Sequence, residues 1–325
     1  MHDHLNGFPA DLAGSAPSVR AAAEAAARAA QSSDSILIVA EAGFSPEGIA
    51  GAIHRSGPRA ARPFVAVDCG ENHESLLRRL FGGDKVSRSD YETVAADSAV
   101  AQVGGGTLFL AGINEMPIAV QLRLSRLLRD GEMRLRKSTV PITFRLIVSA
   151  PPGLEAEVRE RRFRPELYRR LQRVRIEVPA FRDRPGDLPA LIDAVFSDIC
   201  RTRDVECQLA PAARTALAAL RWVGNLDELR HVLTRLVDRC DNGVIRQEDV
   251  LADLQEPQAR ARTPPAVASL RDARQTFERQ YIATVLEEYG WRMTEAARVL
   301  GIERANLYRK TRQLGITRLK PSKAS

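Results

Sequence analysis

Residues 37–54, LIVAEAGFSPEGIAGAIH, have the spacing of a nucleotide-binding loop: an apolar strand, a short loop and then a helix. In such loops several glycines let backbone amides point at phosphates, and a lysine at the start of the helix reaches the terminal phosphates. Here the loop contains one glycine, Gly43, and Pro46 stands where the lysine is needed. Because proline has no backbone N–H and no charge, the stretch predicts the outline of a phosphate site without its main ligands.

The four cysteines are the next residues whose side chains could bind a metal or react. Cys69, Cys200, Cys207 and Cys240 form no CxxC pair and have no histidine at metal-ligand spacing. We therefore expect neutral thiols in a reducing compartment and no metal site. No apolar run reaches the roughly 18 residues that cross a bilayer, and the N-terminus lacks the features of a secretory signal. These observations predict a cytoplasmic protein without membrane contact.

The positive charge of the chain is concentrated at its C-terminal end. The formal net charge is +7, and residues 291–325 carry nine Lys or Arg against two glutamates, so the rest is close to neutral. A polarised cationic end favours a polyanionic partner. A basic tail that only improves solubility is the alternative.

Strand-like apolar runs alternate with helical patterns in the first half of the chain. The runs are SILIVA, RPFVAVDC, GGTLFLAG and ITFRLIVSA. Continuous apolar strands separated by helices predict an α/β core, with a parallel sheet covered on both faces. From Pro185 onward the strand signals stop, and apolar residues recur three and four apart. That pattern predicts an appended helical subdomain.

Composition sets the predicted domain boundaries. The stretch LQEPQARARTPPAVAS has no apolar periodicity, as is typical of linkers. The predicted organisation is a short N-terminal helical segment at 1–30, an α/β core at 31–180, a helical subdomain at 181–254, a linker at 255–268, an all-α domain at 269–318 and a basic tail at 319–325.

The all-α domain carries a helix-turn-helix pattern. Two short helices, TEAARVLG and ERANLYRKTRQLG, are joined at Gly301. In such motifs the start of the second helix faces base edges, and Thr294 is the predicted N-cap of the first helix. A solvated basic hairpin is the alternative. The DNA-binding candidates are Arg304, Ala305 and Asn306 for base edges and Arg309, Lys310 and Arg312 for phosphates, together with Thr294 and Tyr308.

The C-terminal stretch VLEEYGWRMTEAARVLGIERANLYRKTRQLGI resembles the DNA-binding domain of the Fis family. The resemblance implies double-stranded DNA as the partner. In that family the preceding helix makes a dimer. The helix from Phe277 to Tyr289 is therefore expected to pair two chains and to set two recognition helices about 34 Å apart.

From about Ser35 to Val250 the chain resembles the central AAA+ domain of bacterial enhancer-binding proteins, the ATPases that remodel sigma-54 RNA polymerase. The matching landmarks are RPFVAVDC, LLRRLFG, GGTLFL, FRPELYRRL, VPAFRDRPGDLPALI and RWVGNLDELR. The resemblance implies an AAA+ parallel sheet with a helical lid subdomain, higher oligomers, and RNA polymerase as a further partner.

This chain departs from that family where active members hold ATP and magnesium. Their phosphate loop reads GExGxGKE, whereas this chain has AEAGFSPE, with Pro46 at the lysine. Their acidic pair after the next strand is replaced by Ala111 and Gly112. Glu115 lies too far along the chain to be a direct replacement. The resemblance therefore predicts an inactive ATPase without a catalytic residue, metal or cofactor.

Two further departures concern the lid and the loop that touches sigma-54. The family's lid arginine is Asp227 here, which would repel a triphosphate, and VSRSDY at residues 86–91 replaces the family's GAFTGA. The expected vestigial nucleotide site consists of Glu41, Gly43, Pro46, Ala111, Gly112 and Asp227.

Arg164 and Arg170 lie where the family places arginines that reach into a neighbouring subunit's site. They are candidate inter-subunit arginines that would complete the site of an intact homologue in a mixed ring. The alternative is that they bridge acids on an adjacent surface or are simply solvated.

The leading hypothesis is a sequence-specific DNA-binding transcription regulator whose pseudo-ATPase AAA+ core is a scaffold. One alternative is an ATP-dependent sigma-54 activator. Another is a modulator subunit that inserts into rings of an active homologue. The Fis-type end favours a homodimer, to which the core could add a higher oligomer or nothing.

Overall fold

The computed structural model describes residues 9–83, 91–136, 138–240, 243–255 and 291–299, together with the single positions 282, 286, 307, 310 and 311. The chain divides into two compact units, Met1–Ala266 and Val267–Ser325, and each is described by itself.

The first unit contains both strands and helices. Its strands are β1 (Ile36–Val39), β2 (Phe64–Asp68), β3 (Glu92–Val94), β4 (Thr107–Ala111), β5 (Glu132–Leu135), β6 (Ser138–Pro141), β7 (Arg145–Ala150), β8 (Val174–Glu177), β9 (Gln208–Leu209) and β10 (Val244–Ile245). Its α-helices are α1 (Pro17–Ala30), α2 (Pro46–Arg55), α3 (His73–Phe81), α4 (Ala99–Gln102), α5 (Ile118–Asp130), α6 (Leu154–Arg159), α7 (Pro165–Leu171), α8 (Leu188–Arg203), α9 (Pro211–Ala218), α10 (Asn225–Asp238) and α11 (Gln247–Gln255). The described residues of this unit also include the 3₁₀ turns Ala10–Leu12, Ile113–Glu115, Phe181–Asp183 and Pro185–Asp187.

The core is a five-stranded sheet in the order β2-β4-β7-β1-β8, and every neighbouring pair of strands is parallel. This confirms the predicted α/β class. β1 and β7 are buried at every position. β1 reads as an unbroken apolar run, and β7 contains the apolar run Leu146–Val148, because helices cover both faces of the sheet.

Alternate residues of β1 serve two separate hydrophobic cores. Ile36 and Ile38 join a cluster with residues of α1, α2 and the lid helices α8, α9 and α10. Leu37 and Val39 face the other way, toward residues of α3, α4 and α5. A slip of one residue would exchange the two faces, so the register of β1 is strongly specified. That register fixes where the loop after β1 begins.

A second sheet, with the order β3-β5-β6, was not predicted from the sequence. Its strands are short and partly exposed, and β5 and β6 form an antiparallel hairpin. Arg123 of α5 attaches this sheet to the core. Its Nε donates to Glu92 Oε1 at 2.6 Å, and its guanidinium lies 4.2 Å from the ring centroid of Phe81.

The lid subdomain is formed mainly by α8, α9, α10 and α11, as its apolar spacing predicts. The prediction that strands stop at Pro185 was wrong, because β9 and β10 form a parallel pair within the lid. Each strand has two residues, which is too short for an alternating pattern to be visible in the sequence.

The second unit contains helix α12 (Met293–Val299) among its described residues. The carbonyl of Arg292 accepts from two amides of the first turn, at 3.0 Å each. The helix therefore begins before Thr294, and the prediction that Thr294 is the N-cap was wrong. The chain turns earlier than expected, at Trp291, whose φ is +64°.

The described residues of the second unit include a small apolar cluster. It contains Ile282, Leu286, Ala296, Ala297 and Leu307, all buried. Ile282 and Leu286 are four residues apart, as expected for one face of a helix.

Several predictions fall outside the described residues. They concern most of the helix from Phe277 to Tyr289, the linker from residue 256, and the DNA-binding candidates Arg304, Ala305, Asn306, Tyr308, Arg309 and Arg312. Lys310 is described, and it is helical and half-buried. No helix in the described part of the chain has the length and apolar character needed to span a membrane.

Candidate nucleotide-binding site

The loop between β1 and α2 keeps the backbone outline of a phosphate-binding loop. Ser45 is the N-cap of α2, and its Oγ accepts from the amide of Gly48 at 3.3 Å. Pro46 occupies the first turn of the helix, where its fixed φ is favourable and its missing N–H breaks no helical hydrogen bond. Pro46 therefore suits the start of a helix while removing a donor and the lysine charge from the loop.

The backbone amide of Ser45 is already occupied by an acidic side chain of the same chain. Its N–H donates to Oδ1 of Asp11 at 2.8 Å, and Asp11 is 1% exposed. Burial raises the pKa of Asp11, while the hydrogen bond from Ser45 and the charge of Arg184 oppose that shift. An amide at the start of a helix is a natural anion donor. In this chain a carboxylate of the N-terminal segment takes that place.

Arg184 fixes the N-terminal segment against the loop. This arginine is 1% exposed, and its guanidinium donates to the backbone oxygens of Asp11 at 2.9 Å and Ala13 at 3.1 Å. The same guanidinium lies 4.8 Å from the ring centroid of Phe181 and 5.6 Å from that of Phe44, a loop residue. The buried charge thus joins the N-terminal segment, the loop and the start of the lid.

The lid bonds directly to the backbone of the loop. The amide of Asp227 donates to the Gly43 oxygen at 3.0 Å, and Nδ2 of Asn225 donates to the Ala42 oxygen at 2.9 Å. Gly43 has a φ of +86°, and a Cβ added there would lie 1.9 Å from the oxygen of Gly224. The glycine is therefore required for the close approach of the lid as well as for its backbone conformation.

Glu41 is paired with the lid and is not free to act on a ligand. Arg182 donates to both of its carboxylate oxygens, one of them at 2.7 Å. The hydrogen bond from Arg182 lowers the pKa of Glu41, and burial partly opposes this shift. The structure thus gathers three predicted site residues, Glu41, Gly43 and Asp227, around one loop.

The other side of the candidate site lies at the end of β4. Ala111 ends this strand, and Gly112 adopts a left-handed conformation with its amide donating to Ser149 Oγ at 3.1 Å. Neither residue offers a carboxylate. However, the 3₁₀ turn that follows brings Oε1 of Glu115 to 3.7 Å from the ideal Cβ position of Gly112. The carboxylate of Glu115 thus lies near Gly112 despite its distance along the chain, and whether it replaces the missing acid stays a prediction.

Acidic side chains lie around the Cys69 thiol near this point. Burial raises the pKa of the Cys69 thiol, and the charges of Asp68, Glu115 and Glu71 add to this effect. Within the described ranges there is no group of three or more His, Cys, Asp or Glu residues that could hold a metal ion.

Arg164 and Arg170 meet in a separate, strongly basic cavity of about 560 Å³ between α5 and α7. The backbone amide of Arg164 donates to Oε1 of Gln121 at 2.9 Å, and Nη1 of Arg170 donates to the Leu128 oxygen at 3.1 Å. These contacts hold both arginines on the same surface. The charged residues that line the cavity are Arg126, Arg129, Arg164, Glu166, Arg169, Arg170 and Arg173.

Sequence reasoning missed four residues that shape the site: Asp11, Arg182, Arg184 and Asn225. Asp11 and Arg184 meet the loop across long sequence separations, and no local pattern marks them. Asn225 follows Gly224 in a turn-forming dipeptide and has a φ of +47°. The Gly-Asn pair was thus the one local signal for a special backbone conformation.

Comparison with known proteins gives the family of the chain. Residues 12–177 match the sigma-54 interaction domain, residues 182–266 match the AAA+ ATPase lid domain, and residues 273–314 match the bacterial regulatory protein family Fis.

Individual relatives agree with these matches. The transcriptional regulator NtrC of Salmonella typhimurium is 32% identical, over 96% of this chain and 72% of NtrC. The Nif-specific regulatory protein of Azotobacter vinelandii is 32% identical, over 91% of this chain and 57% of that protein.

Among solved structures, NtrX from Brucella abortus in complex with ATP is similar, with a TM-score of 0.65 and 27% identity over 95% of this chain and 70% of NtrX. The chain therefore belongs to the NtrC-like enhancer-binding regulators, which combine a sigma-54 interaction domain, an AAA+ lid and a Fis-family C-terminal domain.

Proposed function

We propose that this protein is a DNA-binding transcription regulator of the NtrC-like family whose AAA+ core is a scaffold that does not hydrolyse ATP. The observation that carries the proposal is the contact between the Ser45 amide and the carboxylate of Asp11, at 2.8 Å. That contact fills the anion position of the loop with a group that belongs to the protein itself.

Electrostatic repulsion between acidic side chains and a triphosphate also supports this proposal. ATP would have to displace Asp11 and approach Asp227, whose backbone is bonded to Gly43. At Pro46 no positive side chain would compensate for this repulsion. Since like charges in a poorly solvated site disfavour one another, triphosphate binding is expected to be weak. NtrX, a relative of similar fold, has been solved with ATP, so the fold itself is compatible with the nucleotide.

In this proposal the C-terminal domain binds DNA. Residues 273–314 match the Fis family, and residues 291–325 carry nine Lys or Arg against two glutamates. A homodimer through this domain would place two recognition helices on one face of DNA. RNA polymerase is a further proposed partner through the sigma-54 interaction domain.

The proposal is tested by measuring DNA affinity with and without ATP and magnesium. The probe is a duplex that the full-length protein itself enriches from a random pool, and binding is followed by fluorescence anisotropy. We expect the same dissociation constant under both conditions, because the scaffold does not use nucleotide. An increase of about tenfold or more in affinity with ATP would contradict the scaffold assignment.

Two substitutions separate phosphate contacts from base contacts in the same assay. Arg309→Ala is expected to weaken binding to all duplexes and to reduce the salt slope by about 1. Asn306→Ala is expected to lose roughly 1–3 kcal/mol of discrimination between the selected and random duplexes.

Arg78→Ala is the control for these substitutions, since Arg78 is an exposed α3 residue paired with Glu74. Equal effects of the Arg309 and Asn306 substitutions on selected and random DNA would refute the assigned roles.

A second candidate function rests on the basic cavity that contains Arg164 and Arg170. In a mixed ring these arginines would enter the nucleotide site of an active homologue, so that this chain would modulate that homologue. Co-purification of the two proteins in the presence of ATP tests this function. Failure of the wild-type chain to co-purify, or equal recovery of an Arg164→Ala/Arg170→Ala variant, would contradict it.

A further inference from the structure

Three half-buried cysteines lie close together in the lid. Cys200 belongs to α8, Cys207 directly precedes β9, and Cys240 follows α10. The Sγ atoms of Cys207 and Cys240 lie 2.6 Å apart, although the two residues are separated by 33 positions in the sequence. The sequence shows no CxxC motif, so this contact is visible only in the fold.

Secondary structure holds the two sulfurs beside each other. β9 follows Cys207, and it pairs in parallel with β10, which lies shortly after Cys240. Cys240 is fixed at the end of α10, where its amide donates to the Val237 oxygen at 3.1 Å. The strand pair and the end of α10 thus bring the two sulfurs together.

We propose that Cys207 and Cys240 are an oxidisable dithiol, which forms an intrachain disulfide with a hydroperoxide as oxidant. Cys240 is the nucleophile, because it lines a cavity through which a small oxidant can enter, and Cys207 is the resolving thiol. Transient disulfides of this kind are the usual form in reducing compartments.

The reaction balances in two steps. First, the Cys240 thiolate attacks the terminal oxygen of the hydroperoxide, the O–O bond breaks, and the alkoxide leaves as an alcohol after taking up a proton. Cys240 becomes a sulfenic acid. Second, the Cys207 sulfur attacks the Cys240 sulfur, the S–O bond breaks, and hydroxide leaves with the Cys207 proton as water. Two thiols are oxidised by two electrons, and the peroxide is reduced.

The titration of the neighbouring thiols agrees with these roles. Burial raises the pKa of Cys207 to about 12, and the hydrogen bond to Cys240 adds to this effect. Burial also raises the pKa of Cys200, and the charge of Cys240 contributes. Cys207 and Cys200 therefore keep their protons at neutral pH, and neither is suited to attack the peroxide first.

A small oxidant can reach the nucleophile. Cys240 lines a cavity of about 270 Å³ together with residues of α10, β10 and α11, among them Arg239 and Asp249. A water-sized molecule needs far less room than this cavity offers. Cys69, by contrast, is fully buried and is an internal reference for an unreactive thiol.

The test is oxidation of the full-length protein with hydrogen peroxide, followed by alkylation, digestion without reductant and mass spectrometry. We expect the four free thiols to fall to two and a crosslinked peptide pair to join Cys207 to Cys240. Reduction should restore all four. The melting temperature of the oxidised protein should rise by roughly 5 °C, since the bridge closes a long loop.

Three serine variants distinguish a Cys207–Cys240 disulfide from one that uses Cys200. Cys240→Ser should abolish the crosslink, Cys207→Ser should leave a sulfenic acid that a dimedone probe traps on Cys240, and Cys200→Ser should leave the crosslink unchanged. Four unreacted thiols under conditions that oxidise a cysteine peptide would overturn the proposal. A bridge that uses Cys200 in place of Cys207 would also overturn it. Neither outcome bears on DNA binding or ATP, so the test is independent of the proposed function.

Discussion

Gly43→Ala is expected to lower the free energy of unfolding of the first unit by about 2–4 kcal/mol. The added methyl group would lie 1.9 Å from the oxygen of Gly224, which is a backbone atom and cannot turn aside. The φ of +86° also disfavours any residue with a Cβ. The expected structural result is displacement of the lid from the loop, with loss of the bond between the Asp227 amide and the Gly43 oxygen.

Urea denaturation of the purified variant measures this effect, and hydrogen exchange at the Asp227 amide reports on the lid contact. Gly51→Ala is the matched control, because Gly51 lies inside α2 and an added Cβ would meet mainly the flexible end of Arg55 at 3.1 Å. Alanine in a helix interior is favoured by up to about 1 kcal/mol over glycine. Equal stability of the Gly43→Ala protein and the wild type would contradict the described packing of loop and lid.

Arg184→Met is expected to cost about 3 kcal/mol or more of stability. Its guanidinium is buried, bonds two backbone oxygens of the N-terminal segment and stacks near two aromatic rings. Methionine keeps much of the volume but leaves both oxygens without this donor and Asp11 without the nearby positive charge. Detachment of the N-terminal segment from the loop should follow.

Arg182→Met is the control for this prediction, since Arg182 pairs with Glu41 at a half-exposed site. Solvent screens such a pair, so it contributes little to stability. An additional Asp11→Asn substitution should cost less in the Arg184→Met protein than in the wild type, because the two residues interact. Additive losses, or equal losses for Arg182 and Arg184, would show that Arg184 does not hold the segment in place.

The α/β core was predictable because the apolar runs that specify its strands are local in the sequence and recur along the chain. β1 and β7 are covered on both faces, so each appears as an apolar run bounded by polar residues. The same reasoning identified the loop after β1, and Gly43 and Pro46 lie where the pattern placed them. Short strands such as β9 and β10 carry too few residues to show any period.

The contacts that close the site were not predictable, because they join residues far apart in the chain. Nothing near Asp11 indicates that its carboxylate meets the Ser45 amide, and nothing near Cys207 indicates Cys240. Glu115 was judged by sequence distance, but a 3₁₀ turn folds its carboxylate back toward Gly112. In each case the deciding interaction depends on tertiary packing rather than on local propensity.

The most direct test of the scaffold assignment is a calorimetric titration of the full-length protein with ATP and magnesium, with phosphate release followed in the same samples. We expect no saturable heat below about 1 mM ATP and no turnover above the buffer, because Asp11 occupies the loop and Pro46 replaces the lysine. A micromolar isotherm with steady phosphate release would contradict this account. It would mean that ATP displaces Asp11, that residues such as Glu115 supply the missing chemistry, and that the protein is an ATP-driven sigma-54 activator.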